Sequence, residues 1–349
     1  MGHANLAIPR TLDQWESMGI VDLRLSVPAG HVSDMTHIGK FGANRDVDSA
    51  GPEDVWTKGG LYVPPTQDRK HAIVSTSVED AGTLVSSGTV TSGTVNTIHD
   101  DDATFVSDGV SVGDIYLNDT LQDHSLVVSV DGEQDLTVKH MHHENANAVN
   151  NAYRVVTSAG TGIVVCHIKL SREQEGALVD EFVIMNGTTP VNTLLDAFRI
   201  SRMHGHGVGA NKTNVGDISA TAAVDGTVTA FIGAGDGQTL MAIYSIPFGY
   251  DGFVTQYYAN MYRSTAVAGA MAKVQLMSRA WGSVAEAETI EHAIAISIDG
   301  SIPPHNFNPY KKFSEGTDIW VRCVDITDNN TEVFAGFDVY LIQHDHGAD

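Results

Sequence analysis

Basic residues are scarce in this chain. Its 20 lysines and arginines stand against 43 aspartates and glutamates over 349 residues, leaving a formal charge of −23. A nucleic-acid surface needs clustered Lys and Arg to neutralise phosphates, so direct contact with DNA or RNA is not expected. Cysteine is nearly missing. Cys166 and Cys323 sit in the strand-like runs IVVCHIKL and DIWVRCVDI and read as buried thiols serving as small apolar residues, in preference to a disulfide or a reactive group. No apolar run approaches the roughly 18–20 residues of a membrane span, and the opening MGHANLAIPR lacks the charged-then-apolar pattern of a cleaved signal. The expectation is a soluble protein with no membrane contact.

The spacings that carry chemistry are missing too. There is no GxSxG elbow and no phosphate loop, and GAGDG at 233–237 runs into a turn and another strand where a dinucleotide fingerprint needs a helix. The histidine-rich HMHHE at 140–144 follows no zinc spacing. It reads as an exposed or intersubunit loop in preference to a cation site. His204-Gly-His206 and His344-Asp-His346 receive the same reading, because the glycines around the first pair suggest loops. The acidic run of residues 99–102 and the loop of residues 325–330 offer oxygens to calcium but lack the twelve-residue loop with its central glycine; a solvated acidic turn is preferred. The sequence therefore assigns no catalytic, cofactor-binding or metal-binding residue and calls for no cofactor. It reads as a non-enzyme.

What the chain has in abundance is turn-separated β sequence, with 34 glycines among 42% hydrophobic residues. Residues 213–263 are the best ordered stretch: runs rich in Val, Ile, Tyr and Thr at 227–232, 239–246 and 253–261 alternate with Asp-Gly and Gly-Asp-Gly turns, and the stretch predicts a β-meander. Within it Phe253, Thr255, Tyr257, Ala259 and Met261 are expected on one face. The aromatic residues Tyr244, Phe248, Tyr250, Phe253, Tyr257, Tyr258 and Tyr262 either fill an inter-sheet core or meet a sugar or a partner. Further strands are expected at 163–170, 180–185 (closing on an Asn186-Gly187 hairpin), 197–203, 273–281, 292–298, 318–326 and 332–342.

The resulting expectation is an all-β, multi-domain protein of antiparallel β-sandwich or jelly-roll modules with an extended N-terminal arm. The arm covers residues 1–70, with a short helix at 11–18 and a strand at 20–25. A β-domain takes residues 71–87 and 158–228, interrupted by a small inserted β-domain at 88–157 whose Ser/Thr/Gly-rich entrance works as a linker or hairpin. Residues 229–349 form a C-terminal β-sandwich, with a turn or two of helix at 283–290.

Four segments resemble a family of virion structural proteins of tailed bacteriophages, especially marine ones. They are HIGKFGANRDVDSAGPEDVWTKGGLYVPPTQDRKHAIVSTSVEDAGT (37–83), VIMNGTTPVNT (183–193), TNVGDISATAAVDGTVTAFIGAGDGQTLMAIYSIP (213–247) and TEVFAGFDVYLI (331–342). The resemblance covers most of residues 37–83 and 163–342, and it implies a particle component without catalytic residues. The resemblance does not by itself place the component on capsid or tail; together with the acidic, all-β sequence, the expectation is the virion exterior, as a capsid decoration or cement protein. Its partners would be the major capsid protein and further copies of itself, for example as a trimer. The alternative is a tail or neck component, including an adhesin that holds a host surface glycan; a polysaccharide depolymerase is a more distant rival.

Overall fold

A computed structural model of the protein describes residues 35–49, 51–65, 67–141, 147–171, 178–263, 269–280, 287–300 and 302–344. The fold is all-β, and among the described residues every strand pairing is antiparallel. The chain divides into two compact units, Met1–Val55 with Ala242–Asp349, and Trp56–Met241. This differs from the expected division, since residues 229–241 belong with the second unit rather than with a C-terminal sandwich.

Strands β1 (Met35–Val47) and β2 (Glu53–Asp54) open the first unit. The chain then builds the second unit from β3 (His71–Ser75), β4 (Gly82–Thr89), β5 (Ser92–Gly93), β6 (Thr97–His99), the four-residue helix α1 (Phe105–Asp108), β7 (Ile115–Asn118) and β8 (Asp123–Val130). There follow β9 (Asp135–Val138), β10 (Ala152–Ser158), β11 (Ile163–Ser171), β12 (Leu178–Ile184), β13 (Val191–Asn192), β14 (Arg199–Val208), β15 (Ile218–Ala222) and β16 (Val228–Ile232). It returns to the first unit as β17 (Ile243–Ser245), β18 (Tyr250–Tyr262), β19 (Met271–Arg279), β20 (Thr289–Ser297), β21 (His305–Phe313), β22 (Asp318–Ile326) and β23 (Thr331–Gln343).

The first unit is a β-sandwich. One sheet has the order β1-β23-β18-β21; the other runs β17-β22-β19-β20, with β2 beside β22. Val254, Tyr257, Val333 and Phe337 from the first sheet and Val274, Leu276, Ile319 and Val321 from the second form one buried cluster. Each such side chain contributes roughly 1.5–3 kcal/mol by leaving water. Tyr257 also donates its hydroxyl to the Val274 carbonyl of the facing sheet at 3.0 Å, so a fully buried phenol finds its partner. The expected arm is corrected here. Residues 35–47 are not draped chain but a thirteen-residue strand paired along its length with β23, from Met35 opposite Ile342 to Val47 opposite Thr331. Residues 1–34, with the expected helix and first strand, lie outside the described residues, as does the first half of the expected helix at 283–290; residues 287 and 288 are not helical, and Thr289 and Ile290 already belong to β20.

Two further expectations fail for reasons of register. Residues 213–263 are not a meander: β15 and β16 pair with each other, but β17 pairs with β22 and β18 with β23 and β21. The face assignment in β18 holds only for its second half. Tyr257 and Ala259 are buried, yet Val254 is the inward residue before them and Phe253 and Thr255 are half-exposed. A register shift between Val254 and Gln256 against both neighbours is the cause, because one extra residue exchanges the two faces of a strand. The aromatic cluster divides accordingly: Tyr244 and Tyr257 are core, whereas Tyr262 is 56% exposed.

Among its described residues the second unit holds three sheets. A seven-stranded sheet, β4-β10-β7-β8-β9-β6-β5, carries its own core of Phe105, Tyr116, Leu136, Met141 and Tyr153. Ser86 and Ser87 lie in its strand β4 and pair with β10. The other sheets are β12-β11-β14 and β13-β3-β15-β16. Asn186-Gly187 does form a tight turn, with Gly187 at φ 57° and Thr189 donating to the Asn186 carbonyl. It does not close a hairpin, since β12 goes to β11 and β13 to β3.

A single carboxylate ties this unit together. Asp80 has no exposed surface. Its Oδ1 accepts from the amides of Ile163 and Val215, each at 2.9 Å, and its Oδ2 from the Gly216 amide at 2.9 Å and the Ser75 hydroxyl at 2.6 Å. Around it, Ser75 donates its amide to the Gly187 carbonyl, and Gly187 donates to the carbonyl of Asp80. Four chain segments distant in sequence are thereby fixed against one buried charge.

Candidate functional site

Among the described residues, three histidines that could share one metal ion lie on the sheet β12-β11-β14. His167 on β11 stands directly opposite His204 on β14, and His206 follows two residues along the same strand. The pair His204 and His206 was expected in a loop; it sits in a ten-residue strand. The glycines that prompted the loop reading have another cause. A Cβ on Gly205 would lie 2.5 Å from Ile163 Cδ1, and one on Gly207 would lie 2.0 Å from Ile115 Cδ1. The face of β14 opposite the histidines is therefore pressed against core side chains, and only glycine admits that approach.

One nitrogen from each of the three imidazoles lies within 4.8 Å of the others. His167 Nδ1 and His204 Nε2 are 3.3 Å apart, and His167 Nε2 is 2.8 Å from Asp180 Oδ1 on β12. Because a carboxylate only accepts, His167 Nε2 donates to Asp180, which leaves Nδ1 facing His204. Lys169 Nζ also reaches Asp180, at 3.1 Å. Burial opposes ionisation of Asp180, but the hydrogen bonds from His167 and Lys169 hold its carboxyl below the usual range. Phe182 packs beneath the group, with ring centroids 4.8 Å from His167 and 5.2 Å from His206. His124 stands edge-on to His206, with centroids 3.3 Å apart.

Burial, reinforced by the neighbouring His167, lowers the His204 pKa to about 4, and burial together with His124 lowers that of His206 to about 3. Both imidazoles are thus neutral at physiological pH. Two of their nitrogens, His204 Nδ1 and His206 Nε2, are buried with no hydrogen-bond partner. His167, His124 and Asp180 were not singled out from the sequence. The available signal was alternation: His204 and His206 share a strand face, and IVVCHIKL places a histidine among core residues.

The remaining sequence candidates are dispersed. His142, His143, Glu144 and His346 lie outside the described residues, and His140 is exposed. His344 faces Asp251 at 3.4 Å. The acidic run is not a uniformly solvated turn, because Asp100 is buried and accepts from the Tyr153 hydroxyl at 2.7 Å. His99 bridges Asp135 and Asp101, at 2.8 and 3.0 Å. In the loop of residues 325–330, Asn329 accepts from the Ser49 hydroxyl at 2.6 Å and Asp328 pairs with Arg263 at 3.1 Å. Cys166 and Cys323 are both free and buried, and burial pushes their thiols up to about 12 and about 11.

The first unit carries a groove of about 1020 Å³ lined by His37, Gln256, Asn306, Tyr310, Asp338 and Tyr340 among others. Gln256 donates to Asp338 at its floor, and the Tyr310 and Tyr340 rings lie 6.4 Å apart. Comparison with known proteins finds no family that matches this chain and no curated protein that does.

Proposed function

We propose that this chain is a structural component of a tailed-bacteriophage particle, bound in many copies on the head exterior as a decoration or cement protein. One observation carries the reading. The four segments that resemble virion structural proteins are far apart in sequence, yet they meet as bonded partners. Ser75 and Asp80 of the first segment, Gly187 of the second, and Val215 and Gly216 of the third join at the Asp80 carboxylate and its backbone. The fourth pairs with the start of the first, His37 opposite Tyr340 and Phe41 opposite Gly336. The resemblance thus falls on residues that hold a scaffold together, as suits a particle component. The charge of −23 keeps such a chain soluble before assembly, and repetition over a lattice turns modest contacts into large total stabilisation.

The groove between Tyr310 and His37 favours a second reading, a tail or neck adhesin. Its aromatic rings, amides and carboxylate are the groups that stack on and hydrogen-bond a sugar.

Addition of purified protein to heads that lack it tests the cement role. The expected result is saturable binding and a higher temperature of genome release. A chain without residues 1–34 keeps every described strand, and it is expected to lose head binding if those residues anchor it. Unchanged genome release with full-length protein present would overturn the cement role.

A further inference from the structure

We propose that His167, His204 and His206 bind a divalent transition-metal ion, zinc foremost, as a three-imidazole site that links β11 to β14. The inference stands on the geometry of the second unit and does not depend on the particle role.

Three features carry it. The first is spacing. Zinc held by imidazole at 2.0–2.1 Å in a tetrahedron sets its ligand nitrogens about 3.3 Å apart, and His167 Nδ1 and His204 Nε2 are separated by 3.3 Å. The whole trio falls within 4.8 Å, which places His206 beside the same position. The second is orientation. Asp180 accepts a hydrogen bond from His167 Nε2 at 2.8 Å, the carboxylate–histidine arrangement that turns the other ring nitrogen toward a metal. The third is an unmet need: His206 Nε2 is buried without a partner, an arrangement that costs free energy and that a metal bond relieves.

The competing account is a hydrogen bond from His204 Nε2 to His167 Nδ1. It explains the 3.3 Å separation but leaves His206 Nε2 with nothing to bond. The donor set decides the class of ion. Three imidazoles without an oxygen cage suit zinc, cobalt, nickel or copper and not calcium or magnesium, which take oxygen ligands. With three protein ligands the fourth position falls to water, as in other three-ligand zinc sites.

The test uses the full-length chain, stripped with a chelator and titrated with Co²⁺ and then with competing Zn²⁺. The expected result is a visible d–d absorption of tetrahedral cobalt that saturates at one equivalent and is quenched by zinc, together with a zinc-dependent rise in the thermal midpoint. His204→Gln with His206→Gln is expected to abolish the absorption, and so is His206→Gln alone, the milder change if the pair perturbs folding. Asp180→Asn is expected to keep the absorption and weaken zinc about 10–100-fold, the usual effect of losing an outer-shell carboxylate. A triple variant at His140, His142 and His143 should leave the signal unchanged. Absence of cobalt absorption in the wild-type chain, or its full retention in folded His206→Gln, would overturn the proposal.

Discussion

Replacing Asp80 by alanine is expected to destabilise the second unit by about 3–6 kcal/mol, because each buried donor stripped of its acceptor costs about 1–3 kcal/mol. Three backbone amides and one hydroxyl converge on this carboxylate. The amides of Ile163, Val215 and Gly216 cannot turn elsewhere, since the backbone that carries them is fixed by strand pairing or by the neighbouring turn. Asparagine is the more telling variant. It keeps one acceptor oxygen but sets an NH₂ group against one pair of donors. Ser75 can reverse its hydroxyl to accept, whereas an amide cannot, so Asp80→Asn is expected to cost about half as much as alanine. Hydrogen exchange read at the amides of residues 163, 215 and 216, alongside denaturant unfolding, checks this. Wild-type protection in a folded Asp80→Ala chain would show that the carboxylate is incidental.

The second large effect belongs to the first unit. Arg322 on β22 is 8% exposed and Asp54 on β2 has no exposed surface; Arg322 Nε donates to Asp54 Oδ1 at 2.6 Å. Glu288 accepts from the other side of the guanidinium, and the Trp320 ring lies 5.3 Å from it. Asp54→Ala leaves a buried cation short of a counter-charge and is expected to cost about 3–5 kcal/mol. Changing both partners, Asp54→Leu with Arg322→Met, is expected to cost less than the single change, because the desolvation penalty disappears with the charges. A double-mutant cycle on thermal unfolding measures both. A loss under about 1 kcal/mol for Asp54→Ala would mean that Glu288 alone satisfies the arginine.

What was legible in the sequence follows from the range of the forces involved. Alternation in the runs that became β19, β20, β22 and β23 is a local property, and it predicted strands where strands occur. Partner choice is long-range. The run of residues 239–246 looks continuous with its neighbours, yet Met241 ends one unit and Ala242 begins the other, and nothing local marks the break. The same holds for the extra residue near Val254, whose effect on strand parity is visible only against β23 and β21. At the histidine cluster, the local cue pointed the wrong way. Gly205 and Gly207 suggested a loop, although they are small because Ile163 and Ile115 press on that face. Asp180 and His167 join His204 only through strand register. The resembling segments include Asp80 and Gly216 without giving either a role, and the buried carboxylate network supplies a structural one.

The proposed role as a repeated component of a phage particle is tested most directly by counting copies of this chain in purified particles, by quantitative mass spectrometry against a capsid-protein standard. The account predicts many copies per particle, in a fixed ratio to the major capsid protein set by lattice symmetry. A handful of copies confined to the tail would contradict the cement role and shift attention to the groove at Tyr310 and Tyr340. Absence from the particle would contradict the structural role altogether.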